Sequence, residues 1–143
     1  MIHDYTGILR NARTIAMIGC SARVNRTSNT IARYLLANSF ELVPVNPNYD
    51  EVLQRTSYPS LLHIPADVQV DIVNVFRAPD FTPGILRDVV NFADARGYMP
   101  VVWTQIGVSS DEAEAIAEKE GIPYVADRCI MVEHRLNAGH VTR

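Results

Sequence analysis

The stretch Thr14-Ile15-Ala16-Met17-Ile18-Gly19-Cys20-Ser21, followed by residues 22–28 and then a helical pattern over 29–38, decides the fold. Residues 15–18 are apolar on both faces of an extended chain and are bounded by Gly19, as a buried parallel strand requires. A short loop of Ser, Arg, Asn and Thr feeds the helix, with Thr27 or Ser28 as its expected cap and Ile31, Ala32, Leu35 and Leu36 as its inward stripe. Strand, glycine turn and helix start in this order turn backbone N–H groups and a positive dipole end outward, which suits a phosphate group.

The rest of the chain repeats the alternation. Ahead of the first strand, Tyr5, Ile8, Leu9 and Ala12 predict a short packing helix over residues 4–11. Residues 40–47 predict a second strand, with Pro44 an awkwardly paired position and Pro47 closing it. Residues 49–66 are irregular apart from a short helical turn beginning at Tyr58-Pro59-Ser60-Leu61-Leu62. Strands follow at 71–76, 100–104 and 123–126, separated by a helix over 81–96 that Gly97 stops and by a helix opened by a capping box, Ser109-x-x-Glu112, that ends at Gly121. A last short helix covers 129–137, and the tail from Ala138 is expected to fray. Five strands alternating with helices imply an α/β fold, a doubly wound Rossmann-like parallel sheet with helices on both faces. In such sheets a ligand sits beyond the carboxyl ends of the strands, which directs attention to the loops 19–28, 46–48, 76–79, 105–109 and 127–129.

Composition limits what else is present. The 143 residues, 48% hydrophobic and 20% charged, suit a single domain over 1–143 with one site. A net charge of -3 does not provide the basic footprint of a nucleic-acid binder. Cys20 and Cys129 are the two cysteines and lack CxxC spacing, so neither a zinc site nor a secreted disulfide scaffold is indicated and a reducing cytoplasm is expected. The chain opens without a basic segment leading into an apolar run, and eighteen uninterrupted apolar residues occur nowhere, so a soluble protein away from the membrane is expected.

A dinucleotide reading requires residues that this chain does not have. After Gly19 the second and third glycines of G-x-G-x-x-G are missing, and Val45, Asn46 and Pro47 stand where an acid would accept the ribose hydroxyls of NAD. No G-x-x-x-x-G-K-[ST] loop occurs.

The chain resembles the small single-domain CoA-binding proteins, related in fold to the CoA-binding domain of the succinyl-CoA synthetase alpha subunit. The resemblance rests on residues 15–21 with 26–28, Val43-Pro44-Val45-Asn46-Pro47, Tyr58-Pro59-Ser60-Leu61, Asp71-Ile72-Val73-Asn74-Val75-Phe76-Arg77, Trp103-x-Gln105-x-Gly107 and Asp127-Arg128-Cys129-Ile130-x-x-Glu133-His134, in that order. Cys20, where such proteins often carry alanine, and Thr104, where an aliphatic residue is usual, depart from it. It implies a Rossmann-like CoA-binding fold, usually without an assigned reaction.

CoA carries a 3′-phosphate and a pyrophosphate, so its site needs N–H groups and cations. Gly19, Cys20, Ser21, Arg26, Thr27 and Ser28 meet that need in the first loop, although a solvated loop arginine would look the same as Arg26. Asn46 and Pro47 are expected to border the adenosine or to form a plain turn. The resemblance suggests Phe76 and Arg77 as an aromatic wall and a cation, against the alternative of a core Phe and a surface Arg. It also suggests Gln105, Ile106 and Gly107 as an entry for the pantetheine arm of CoA or an acyl-CoA. Cys129 reads either as a small buried hydrophobe or as a thiol near the ligand's own, and Cys20 or Cys129 is a candidate for a mixed disulfide with CoA.

Trp103 reads as core. Glu133 and His134 are sequence neighbours and on a helix point about 100° apart, so adjacency makes no catalytic pair. His3, His63 and His140 have no partners at metal-ligand spacing, and no nucleophile elbow or triad is found. The expectation is a CoA-binding module without its own catalytic set. The alternative is an NAD-linked oxidoreductase or an acyl-CoA-processing enzyme. A homodimer or a partner enzyme is compatible with an exposed sheet edge.

Overall fold

A computed structural model describes residues 2–137. The expected tail from Ala138, and His140 within it, lie outside the described residues. The elements are α1 (Thr6–Asn11), β1 (Thr14–Ile18), α2 (Thr27–Ala37), β2 (Glu41–Val45), β3 (Glu51–Val52), β4 (Arg55–Thr56), β5 (Ile72–Val75), α3 (Thr82–Arg96), β6 (Val101–Thr104), α4 (Asp111–Glu120), β7 (Tyr124–Val125) and α5 (Ile130–Leu136). Short 3-10 turns cover Leu61–His63 and Pro79–Phe81.

β2, β1, β5, β6 and β7 form one sheet in that order, and every pairing in it is parallel. The chain therefore starts in the interior, steps to one side for β2, then crosses back over β1 to build the remainder. The reversal falls between β1 and β5. Side chains alternate across the strands, and the two faces bury separate clusters. Ala16, Ile18, Val73, Val75 and Val102 pack with Leu86, Val89 and Phe92 of α3 and with Ala113 and Ala117 of α4. Ile15, Met17, Ile72 and Trp103 pack with Leu9 of α1, Ile31, Ala32 and Leu35 of α2, and Ile130 of α5. Burial at every position of β1, with apolar residues at 15–18 rather than at alternate ones, follows from helices covering both sides.

Pro44 proves to be well placed rather than awkward. The ladder to β1 uses the Val45 carbonyl, which accepts from the Gly19 N–H at 2.8 Å. Pro44 points the other way, its carbonyl accepting from the Tyr58 N–H at 3.1 Å, so its missing N–H falls on the outer border of an edge strand. Residues 57–58 run along that border, where the Asn46 N–H donates to the Tyr58 carbonyl at 2.9 Å.

Two expectations about helix starts shift by a residue. α2 has Arg26, not Thr27 or Ser28, at its cap position and no side-chain cap. α4 is capped by Ser110, whose hydroxyl accepts from the Ala113 N–H at 3.1 Å, so the expected box at Ser109 and Glu112 does not form. The segment expected to be irregular contains the β3–β4 hairpin, turned by Leu53 (φ 51°) and Gln54 (φ 65°). Two successive left-handed residues make the tight turn that suits strand twist, here without the usual Asn or Gly. Among the described residues no helix is long and apolar enough to cross a membrane.

Candidate functional site

The end of β1 and the end of β5 meet at the reversal. Gly19 has φ +86°, and a Cβ built there would overlap the Phe76 carbonyl oxygen and sit 3.2 Å from Arg77 Cδ. Glycine is required on both counts, conformation and space. The Phe76 N–H donates to the Ile18 carbonyl at 2.8 Å, which carries the parallel pairing up to the loop itself.

From there the loop holds itself open by its own hydrogen bonds. The Ser21 N–H donates to Ser28 Oγ at 3.0 Å, Asn29 Nδ2 donates to the Ser21 carbonyl at 2.9 Å, and the Arg23 N–H donates to Ser21 Oγ at 3.0 Å. Across the gap, Asn46 Nδ2 donates to the Cys20 carbonyl at 3.1 Å. The first intrahelical bond of α2 runs from the Thr30 N–H to the Arg26 carbonyl, so the N–H groups of Thr27, Ser28 and Asn29 have no partner within the helix. With no acid in the first turn and no side-chain cap, this end keeps its positive dipole uncompensated. It faces a cleft of about 490 Å³ lined by Gly19, Ser21, Arg26, Asn46, Tyr49 and Phe76 among others, and no carboxylate lines it.

Seven of the residues expected from sequence, Gly19, Ser21, Arg26, Thr27, Ser28, Asn46 and Phe76, line this one cleft. Pro47 follows Asn46 in the adjoining turn. Arg77 stacks its guanidinium over the Phe81 ring, 4.1 Å from the centroid. The cleft also takes in Asn25, Asn48 and Tyr49, which the sequence reading left out. Tyr49 lies where the chain turns into the unexpected hairpin, and an aromatic after a turn carries no signal of that placement.

The loop after β6 has a different character. The Gly107 and Ser109 N–H groups both donate to Asp127 Oδ1, at 3.1 Å and 3.0 Å. Asp127 is itself held in a left-handed conformation (φ 54°), and its N–H donates to Thr104 Oγ1 at 3.0 Å. The hydroxyl of Thr104 donates onward to the Val125 carbonyl, so this departure from the family pattern fastens β6 to β7. Ile106 projects from the loop at 65% exposure.

Both thiols are interior. Cys20 is fully buried beside the cluster that contains Met17 and Trp103, and burial pushes its pKa up from 9.0 to about 12. Cys20, expected at the ligand, is therefore not among the residues that line the cleft, and a buried thiol whose pKa is raised is a poor partner for disulfide exchange. Cys129 is also buried, at the cap position of α5 in the same cluster. Trp103 is fully buried and donates from Nε1 to the Arg128 carbonyl at 2.9 Å. His134 is buried too, its Nδ1 2.7 Å from the Tyr34 hydroxyl, which joins α5 to α2. Among the described residues no group of three or more His, Cys, Asp or Glu side chains is placed to hold a metal ion.

A larger depression, about 690 Å³, lies beside β7 and α4. Asp111, Glu114 and Glu118 line it. Three carboxylates repel a polyphosphate, so size does not make it the better candidate for one.

Comparison with known proteins bears on the fold and the family. A protein of Bacillus subtilis named uncharacterized protein YneT is 36% identical over 127 residues, covering 89% of each chain. Acetate–CoA ligase (ADP-forming) II of Archaeoglobus fulgidus is 38% identical over 110 residues, which are 76% of this chain and 15% of the ligase. Among solved structures, a hypothetical protein from Pyrococcus horikoshii OT3 superimposes with a TM-score of 0.82 at 35% identity, covering 91% of this chain and 87% of that one. The CoA binding domain family matches residues 13–135, from the entry into β1 to the end of α5, and the chain belongs to that family.

Proposed function

We propose that the chain binds coenzyme A or an acyl-CoA in the cleft after β1, as a single-domain module without self-contained catalysis. The observation that carries this reading is the start of α2: uncapped, free of acids, and facing a cleft lined by Arg26 and by hydroxyl and amide groups. Such an end favours a phosphate by N–H donation and by its dipole. The match to the CoA binding domain family supports CoA as the phosphate carrier. Phe76 supplies an apolar wall, and the exposed Ile106 on the neighbouring loop offers a contact for the pantetheine arm. The interior position of both thiols suits a reducing, cytoplasmic setting.

Isothermal titration with CoA, acetyl-CoA and NADH tests the reading. CoA is expected to bind, and Arg26→Ala is expected to weaken it about tenfold through loss of a charge-assisted contact. Clear NADH affinity without CoA affinity overturns it.

A further inference from the structure

Tyr49 stands on the wall of the cleft just beyond the end of β2, where doubly wound sheets seat the ribose of a bound nucleotide. Its hydroxyl lies 3.5 Å from Ser21 Oγ, the same oxygen that accepts from the Arg23 N–H. Tyr49, Asn48 and Arg26 share the cleft. A free ribose diol is held by an acidic acceptor at this place, whereas a phosphorylated ribose is held by donors and cations. Here the residues are of the second kind.

We propose that Tyr49 is the specificity-determining residue for a phosphomonoester on the ribose, donating its phenol O–H to that phosphate while Arg23 and Arg26 supply the positive charge. The inference rests on the nucleotide-binding reading above and deepens it. The surroundings of the phenol agree: the hydrogen bond with Ser21, the Ala22 backbone and the charges of Arg23 and Arg26 together hold its pKa below the usual 10.0, against the opposing effect of desolvation. Groups that favour negative charge on the phenol oxygen favour it equally on a phosphate oxygen at the same spot.

A ribose phosphomonoester occurs on CoA and on NADPH, and is absent from dephospho-CoA and NADH. Titration calorimetry with these four nucleotides, on the wild-type chain and on Tyr49→Phe, tests the assignment. The wild type is expected to prefer CoA over dephospho-CoA by about tenfold or more, and Tyr49→Phe, which keeps the ring, to lose about tenfold for CoA with dephospho-CoA unchanged. Arg23→Gln, in an exposed loop position, gives the same selective loss. Equal weakening of both ligands by Tyr49→Phe, or no weakening of either, overturns the proposal. If CoA does not bind but NADPH is preferred over NADH and Tyr49→Phe erases that preference, the CoA reading falls and the assignment of Tyr49 stands. If none of the four binds, both fall.

Discussion

After β1, the start of α2 has Arg26 at its cap position and no acid in its first turn, whereas after β6 the start of α4 is capped by Ser110 and followed by Asp111, Glu112 and Glu114. The loops differ in the same way. The N–H groups of Gly107 and Ser109 converge on Asp127 Oδ1, while those of Thr27, Ser28 and Asn29 have no intrahelical partner beside a carboxylate-free cleft. Both sites lie on one rim of one sheet. In one of them the chain supplies its own anion and its own cap; in the other it supplies neither. A row of convergent donors is thus evidence for a ligand only when nothing in the fold has already taken it.

Four experiments break or sharpen this contrast. The largest effect is expected from Gly19→Ala, which forces a left-handed alanine against the Phe76 carbonyl and should lower stability by about 3 kcal/mol or more, read from the urea midpoint. A wild-type midpoint would mean that the β1 loop is not held in the conformation on which the open site depends. Next is Asp127→Gly. Glycine adopts the same φ freely, so the loss, about 1–2 kcal/mol, reports two exposed hydrogen bonds to a carboxylate. Sulfate should then raise the melting temperature of the variant more than that of the wild type, because an anion can enter the vacated nest; an equal rise in both would break the comparison. Ser110→Ala should cost about 1 kcal/mol by removing the cap, with CoA affinity unchanged.

The smallest effect is expected at Cys20. Iodoacetamide at pH 8 should leave it unmodified in the native chain and label it once urea unfolds the protein, as read by intact mass. The sign of the linked pH effect follows from the same burial. Above pH 9.0 the unfolded thiol ionises while the folded one stays protonated to about 12, so this contribution to stability is complete below 9.0 and is lost as pH rises toward 12.

Much of this was legible in sequence because burial on both faces leaves uninterrupted apolar runs, and the runs at β1, β5 and β6 fall where they were expected. Gly19 was legible for a related reason: a glycine that ends a buried strand and opens a helix has few other uses. What escaped depends on contacts that local pattern does not encode. The β3–β4 hairpin is turned by Leu53 and Gln54, two residues that ordinarily argue against a left-handed turn. With the hairpin unseen, Tyr49 could not be placed in the cleft. Asp127 stands out in sequence only as the start of the last segment of the family resemblance, and its partners are not legible there, since its two donors lie about twenty residues upstream and meet it only after β6 and β7 pair. The α4 cap was misplaced by one residue because Ser109-Ser110 offers two adjacent residues of equal capping ability, whereas α2 starts from Arg26, which makes no side-chain cap and so leaves no cap signal in the sequence.

Pro44 also bears on how separate copies of the chain meet. Its ring stands on the outer border of β2, and residues 57–58 have already taken the carbonyl and N–H groups on either side of it. A foreign strand that approaches this border finds neither a free ladder nor a flat one, so templated fibre growth is blocked on that flank. On the opposite flank β7 is two residues long and its Tyr124 carbonyl already accepts from the Ile2 N–H, which leaves a second chain little to pair with there.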